Sequence, residues 1–587
     1  MKYKLINKPN NTLTAIEQIL VNRGIPLKEI PNYLNPTDDV INDYFSFGEK
    51  KLKVAGELLK TAIDEKMSIF LPVDCDMDGY TSAALFLNYL YDQNPDYTLN
   101  YVTWWHHEGK QHGLQDCIEE AKKYNLVICL DAASNDYNEH KILRELRIPV
   151  ICCDHHEAEK VSDDAIIINN QLSNYPNKAF SGVGVTWQFC RYLDDNVFHS
   201  NYANKYLDLV ASGLCGDMMS LKSIETKYLI HKGFKDENLK NPFLYYMAQK
   251  NTYSLGDHIT PMGAAFYIVP FVNAIVRSGT KEEKDLIFRS MLSYEAFKII
   301  PSTKRGCKGQ TEKLVEQAIR TAVNVKARQT RDQDKAVELL EKRVQSDNMM
   351  DHSVLLFLLN QGEIASGLAG LVANKMMAKY QRPCCILTLT EKDGKTSFSG
   401  SARGYSKSGI ESFKDICESL GEGIVEYAQG HSNAFGLSLP AGGVDTFIEK
   451  TDQALAAMET EPLFYVDFEW KGTNIDKDKI LDIGSAGQDL WGQDVDEPFV
   501  AVKKLNVSKS QVSVYRKKDN TIKISTPAGV DLMIFKATEA QCELFTSNEA
   551  VVITLVGRCN KNEWMGRVTP QIFIEDYQVE AIRKYDF

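Results

Sequence analysis

Asp74, Asp76 and Asp78 stand at alternate positions in the stretch VDCDMDGYTS, directly after the apolar run Ile69, Phe70, Leu71 and just before Gly79. Carboxylates this close repel one another and lose hydration beside an apolar strand, so a cation is the simplest compensation. Further ligand types recur in matching places: Asp131 after LVICL, Asp154, His155 and His156 after VICC, and Asp217 in GLCGDMMSL. Carboxylates with one or two imidazoles suit Mn²⁺ or Mg²⁺, and no CxxC spacing points to structural zinc. Each piece alone has a plain reading: a calcium-type loop or surface turn, a chance Asp-His-His triplet, a helix cap at Asp217. Their conjunction points to a hydrolytic site with two cations. Two ions about 3.5 to 4 Å apart can share a bridging carboxylate, acidify a bridging water and brace the attacking and leaving oxygens of phosphoryl transfer. Such chemistry needs no nucleophilic Ser or Cys, and no phosphate-cradling GxxxxGK[ST] loop occurs in the chain.

The elements that must position these groups are legible from residue 50 to about 225. SIFLPVD, LVICLDA and VICCD are short apolar runs ending in Asp, separated by helical stretches such as TSAALFLNYLY. That alternation predicts a parallel sheet covered by helices, with ligands bound beyond the carboxyl ends of the strands. Residues 226–350 read mainly as helix and end in a long amphipathic run without Gly or Pro that could connect two domains. A second α/β pattern follows to about residue 460, and the remainder is short, β-rich and punctuated by polar turns, as in a small barrel. The expected division is 1–225, 226–350, 351–460 and 461–587, in keeping with the prior of about 100 to 200 residues per domain.

Composition excludes several classes. With 44% hydrophobic and 25% charged residues and no repeat, the 587-residue chain is neither disordered nor fibrous. MKYKLINKPN lacks an apolar signal core, and MGAAFYIVPFVNAIV is too short and too interrupted to span a bilayer, so a cytoplasmic protein without membrane contact is expected. The thirteen cysteines, with pairs at Cys152, Cys153 and Cys384, Cys385, read as buried free thiols. A net charge of −12 argues against indiscriminate nucleic-acid coating, so any phosphate-binding surface must be local. Candidates are the stretch with Lys304, Arg305, Lys308, Lys313, Arg320, Lys326 and Arg328, and the stretch with Lys503, Lys504, Lys509, Arg516, Lys517 and Lys518. A charge run is usually a solvated face, and neither stretch alone establishes a nucleic-acid site.

Taken in order, DCDMDG, LDAASND, CDHHE and GDMMSL resemble the four motifs of the DHH phosphoesterase superfamily, and specifically its RecJ-like single-strand DNA exonucleases. The resemblance extends to ILVNRGIPLKEIPNYLNP, SGVGVTWQF, IVPFVNAIVRS, SGLAGLVANKMMAKYQRP, SGSARG, QGHSNAFGLSLP and NEWMGRVTPQIFIEDY, so it covers nearly the whole chain. It implies a parallel-sheet DHH domain joined by a long helix to a second, DHH-associated α/β domain, followed by a C-terminal OB-fold barrel. It also implies a two-ion Mn²⁺ or Mg²⁺ centre. Asp76 and Asp78 would hold one metal each and Asp131 would bridge. His155 and Asp217 would complete the site with Asp78, and Asp74 would support the first metal. His156 would contact the scissile phosphate, Asn273 and Arg277 would grip the strand, and Ser401, Arg403 and His431 would bind phosphate from the second domain. Arg516, Lys517 and Lys518 are the expected barrel contacts to phosphate, with Tyr515 or Trp564 as base-stacking or core residues.

The implied activity is hydrolysis of single-stranded DNA, proceeding from the 5′ end, by a monomer in a bacterial or phage-infected cytoplasm, with a single-strand-binding protein or helicase as partner. The strand would thread between the two α/β domains, and basic residues of the connecting helix would follow its backbone. The chain departs from the family pattern in three places. TWWHHEGKQHGL offers His107 and His112 where an Arg and Gly-Tyr-Gly-Leu are usual, Ala132 and Ala133 replace Asn-Gly, and Val276 replaces a Gly. Two rival functions are a small-substrate DHH phosphodiesterase acting on dinucleotides or short RNA, and a catalytically silent strand-binding scaffold. The barrel argues against the first, and the intact acids and His155 argue against the second.

Overall fold

In a computed structural model of the chain, residues 1–109, 111–392, 394–406, 410–421, 423–456 and 462–583 are described. They form two units, one of residues 29–330 with 488–496, the other of residues 1–28 with 331–487 and 497–587.

The first unit is built on five parallel strands: β1 (Ile69–Val73), β2 (Val102–His106), β3 (Leu126–Leu130), β4 (Val150–Asp154) and β5 (Ile166–Asn169). Their order is β2-β1-β3-β4-β5, so the winding reverses between β1 and β3, the kind of switch point at which α/β sheets bind ligands. Every residue of β1, β3 and β4 is buried, which explains why these strands read as unbroken apolar runs and not as alternating ones. Three largely buried helices cover the rim: α1 (Met77–Gln93), α2 (Gly182–Leu193) and α3 (Leu207–Gly216), with α1 packed on both others. Two later helices, α4 (Pro261–Tyr267) and α5 (Val269–Ser278), follow in the same unit; α4 packs on α3, and α5 on α1 and α3.

The helix Leu314–Ser346 is 33 residues long, as its uninterrupted amphipathic pattern predicts. Leu314, Val315, Ala318, Ala322 and Val325 are buried in its first half, and Ala336, Leu340 and Val344 in its second. The latter three join Leu355, Phe357, Leu359 and the helix Ser366–Tyr380 in one core cluster of the second unit. On the opposite face of the same five-stranded sheet, Leu356, Cys385 and Leu387 pack with Phe413, Phe435 and Phe447. From Phe468 to Arg583 the strands form a seven-membered, mainly antiparallel sheet.

One expected boundary changes. Residues 1–28, assigned from sequence to the 1–225 segment, group instead with the second unit. Lys2–Leu5 adds a parallel strand to Leu463–Val466, and Arg23 makes a paired salt bridge with fully buried Asp467, both Nη atoms lying 2.9 Å from its oxygens. All thirteen cysteines are free thiols, and all but Cys75 and Cys307 are buried.

Candidate metal centre

The rim acids come together because strand ends and helix starts coincide. β1 ends at Val73, Asp74 follows, and Asp76 caps α1 by accepting a 3.0 Å bond from the Gly79 backbone N–H. Asp78, one residue into that helix, is fully buried. Its carboxylate lies on the N-terminus of α2, accepting from Ser181 Oγ at 2.9 Å, Gly182 N–H at 2.6 Å and Val183 N–H at 3.2 Å. A helix start presents unpaired N–H groups and positive dipole, so it holds a buried anion in one orientation. Ser181 and Gly182, in SGVGVTWQF, are therefore site residues whose contact with Asp78 no local pattern announces.

Asp131 follows β3 with φ of 66°, a left-handed conformation uncommon outside glycine, and its N–H bonds Cys153 O at 2.8 Å. Gly182 approaches it so closely that a Cβ there would stand 2.3 Å from Asp131 Oδ1. Ala133 is also left-handed, with φ of 78°, at the position where a glycine is the family's usual residue. Ala133→Gly should raise stability by about 1 kcal/mol, because relief of the left-handed penalty outweighs glycine's extra unfolded entropy; thermal and urea unfolding read it, and a loss of stability would show the turn unstrained.

At the end of β4, Asp154 Oδ1 accepts the His155 N–H at 2.7 Å and pairs with His156 Nδ1 at 2.8 Å, while its Oδ2 accepts the Ser134 N–H at 2.9 Å. Burial would raise this carboxyl, but His156, then His155 and Ser134, outweigh it and hold it well below the usual range. Burial likewise works against charge on His156, yet the hydrogen bond and charge of Asp154 lift the ring to about 9. Asp154 thus orients the His156 imidazole and fixes the backbone at His155.

The ligand atoms of Asp74, Asp76 and Asp131 lie within 4.8 Å of one another, as do those of Asp78, His155 and Asp217. His155 Nε2 links the sets, 3.2 Å from Asp131 Oδ1 and 3.0 Å from Asp217 Oδ2. Burial, then Asp217, Asp74 and Asp78, push Asp76 up to about 7, and burial with neighbouring acids raises Asp78 and Asp131 as well. Asp131 Oδ1 and His155 Nε2 are buried without a well-aligned hydrogen bond. Crowded acids that resist ionisation, with orphaned atoms pointing at each other, are a donor set fitted to divalent cations.

The remaining expected residues fall in three groups. Asn273 and Arg277 lie on α5; the Asn273 Oδ1 is buried without a partner, and desolvation lowers the Arg277 guanidinium, with the Asp76 charge acting against it. In the second unit, Ser401 and Arg403 share one face of the strand Lys395–Arg403, and both approach Gly370 near the start of the helix Ser366–Tyr380. His431 is exposed, and strand register puts it in one row with Ala434 and Arg403. Arg516, Lys517 and Lys518 are exposed, with Arg516 paired to Glu539 at 2.7 Å. Tyr515 and Trp564 are exposed by 50% and 70%, which removes the core reading for both.

Where the chain departs from the family pattern, His107 is buried, with Nδ1 2.8 Å from Asp116 Oδ1. His112 does reach the rim, its Nδ1 2.7 Å from Asp74 Oδ1, so this loop supplies the acid cluster with a partner. The basic stretch at 301–330 is partly neutralised from within, since Lys304 and Arg320 pair with Glu312, and Arg328 with Glu283. Glu312 is shared by Lys304 and Arg320.

Residues 66–214 match the DHH family, N-terminal domain, and residues 466–576 match the RecJ OB domain. The chain is 32% identical over 590 residues to YorK, named a single-strand DNA-specific exonuclease, of the SPbeta prophage in Bacillus subtilis strain 168, covering 99% of both chains. It is 24% identical to the single-stranded-DNA-specific exonuclease RecJ of the same organism, over 100% of this chain and 70% of that one. Among solved structures, RecJ in complex with Mn²⁺ from Thermus thermophilus aligns with a TM-score of 0.71 at 17% identity, over 99% of this chain and 80% of that one, a likeness of fold.

Proposed function

The chain belongs to the family of single-strand DNA-specific exonucleases that includes YorK and RecJ, and on that premise we propose that it hydrolyses single-stranded DNA from the 5′ end, one nucleotide at a time. It is a metal-dependent nuclease, and the observation that carries this reading is the double donor set at the ends of β1, β3 and β4 with its orphaned Asp131 and His155 atoms.

In this reading Asp74, Asp76 and Asp131 would hold one ion, and Asp78, His155 and Asp217 the other, with Asp131 Oδ1 3.2 Å from His155 Nε2 between the two sets. Bound there, Mn²⁺ or Mg²⁺ supplies Lewis-acid activation of water and neutralises charge gathering on the phosphate. The protein's own groups do the rest. Ser181 and the α2 N-terminus hold Asp78 in one orientation, and Asp154 keeps His156 charged, so that its Nε2–H is available to a phosphate oxygen. Arg277 and Asn273 grip the strand near Asp76, while Ser401, Arg403 and His431 bind phosphate in the DHH-associated domain. Lys517 and Lys518, with exposed Tyr515 and Trp564, give the OB domain both a phosphate contact and a stacking surface. The domain division proposed is a DHH domain to about residue 225, a helical region to 350, the DHH-associated domain to 460 and the OB domain beyond, with residues 1–28 joined to the latter pair. The enzyme acts as a cytoplasmic monomer on strands exposed by a helicase or covered by a single-strand-binding protein. No described helix is long and apolar enough to cross a membrane.

One oligonucleotide labelled at either end, followed with Mn²⁺ and with EDTA, tests activity, direction and metal dependence together. The 5′ label should leave at once as a mononucleotide while the 3′ label reports a shortening ladder, in Mn²⁺ only; cleavage undiminished in EDTA would refute the reading. Arg277→Ala should weaken binding and lower the slope of log affinity against log salt by about 0.7, the share of one single-strand phosphate contact. Fluorescence anisotropy across a salt series measures it, and an unaltered slope would mean that Arg277 touches no phosphate.

A further inference from the structure

Asp74 is buried at the end of β1, and among the described residues its carboxylate has a single hydrogen-bond partner: His112 Nδ1, 2.7 Å from Oδ1 and 2.9 Å from Oδ2. An ionised carboxylate only accepts, so Nδ1 carries the proton. Gly79 of α1 packs against the root of the same side chain, since a Cβ there would stand 2.5 Å from Asp74 Cβ. The imidazole is itself held. Gly113, which follows it, has φ of 70°, a region that favours glycine, and a Cβ there would stand 2.2 Å from Asp136 Oδ2. The same oxygen accepts the Leu114 N–H at 2.7 Å, and Leu114 is buried in the core cluster that includes residues of β3 and β4. Upstream, the His107 carbonyl accepts from buried Lys284 at 3.1 Å. Asp136 belongs to the LDAASND stretch that also carries Asp131, so the segment after one strand fixes the residue that meets the acid after another.

We propose that His112 is a positioning residue of the metal centre, its Nδ1–H orienting Asp74 toward the ion that Asp76 and Asp131 would also hold; the proposal rests on the two-ion reading above. Which partner positions the other follows from the surroundings. The ligand atom of Asp74 lies within 4.8 Å of those of Asp76 and Asp131, whereas the His112 side chain is 56% exposed and belongs to no such group among the described residues. The pair of Asp154 and His156 runs the opposite way, for there the acid stands outside every donor group and the imidazole belongs to one. A carboxylate free to rotate offers an ion a spread of orientations, and a hydrogen bond shared by both oxygens removes that freedom before the ion arrives. Partners of this kind contribute about 10- to 100-fold in metal affinity. The contribution belongs to one ion only, because the set of Asp78, His155 and Asp217 has its own holders in Ser181 and Gly182.

The test is calorimetric titration of the metal-free full chain with Mn²⁺. The unaltered chain should bind two ions. His112→Ala should weaken one of them by about 10- to 100-fold and leave the other unchanged, and the midpoint of cleavage against Mn²⁺ concentration should shift by the same factor. His112→Asn, whose amide puts a donor near the place of Nδ1, should recover most of the affinity, while His112→Gln, whose donor falls near the place of Nε2, should not. Gly113→Ala keeps the imidazole but displaces it, and should weaken the same ion. The His112 ring is more than half exposed, so its replacements remove no core, and cooperative melting verifies the fold of each variant. Affinities for both ions in His112→Ala equal to those of the unaltered chain overturn the proposal. So does His112→Asn as weak as His112→Ala, which would make the imidazole itself a ligand. An unaltered chain that fails to bind two ions would overturn the two-ion reading, and this proposal with it.

Discussion

Asp78→Asn is expected to abolish metal-dependent strand cleavage, by at least about a thousandfold, while leaving a folded protein. The carboxylate does two things at once. It belongs to the donor set with His155 and Asp217, and it accepts three hydrogen bonds from Ser181, Gly182 and Val183 at the start of α2. An amide keeps the shape but turns one donor toward backbone donors, which costs about 1–3 kcal/mol. In the metal-free protein, that loss is offset by relief of the repulsion which raises Asp78 and its neighbours. The two effects oppose each other, so the metal-free melting temperature should move little. The stabilisation on adding Mn²⁺, about 2.7 kcal/mol at a hundredfold excess over the dissociation constant, should disappear. Thermal melts with and without Mn²⁺ separate these contributions; a variant that retains the Mn²⁺ shift and turnover would remove Asp78 from the centre.

Gly182→Ala should cut cleavage by about a hundredfold or more without replacing any proposed ligand, because a 1 Å misplacement of a reacting group costs roughly that much. The added methyl would meet Asp131 Oδ1 at 2.3 Å, its Cβ at 2.5 Å and its backbone Cα at 2.7 Å. The last is main chain held in a left-handed turn, so it cannot swing aside as a flexible side-chain end would. Strain of this kind also costs about 1–3 kcal/mol of stability. Weakened Mn²⁺ binding by calorimetry, alongside unfolding curves, would attribute the loss to the displaced bridge. Turnover equal to that of the unaltered chain would mean that Asp131 tolerates the shift and does not bridge.

Sequence reasoning reaches one half of this site and stops short of the other. The acids at the ends of β1, β3 and β4 are legible because a buried parallel strand is an unbroken apolar run and its first polar residue marks the rim. What holds Asp78 is not legible: Ser181 and Gly182 are more than a hundred residues away, and only the packing of α2 on α1 brings them together. The departure at Ala133 is visible in the letters, but its left-handed backbone is not. Charge runs mislead for a related reason. The residues around 301–330 look like a path for phosphate until Glu312 and Glu283 are seen to draw Lys304, Arg320 and Arg328 into internal pairs. Likewise, nothing in KYKL announces that it pairs with Leu463–Val466, since a short strand's partner is a tertiary fact.

If the crowded acids hold a pair of divalent ions, anomalous scattering from crystals soaked in Mn²⁺ measures it directly. Two peaks are predicted, one among Asp74, Asp76 and Asp131 and one among Asp78, His155 and Asp217, with Asp131 against both. A map without either peak, from a protein that still degrades single-stranded DNA, would contradict the account.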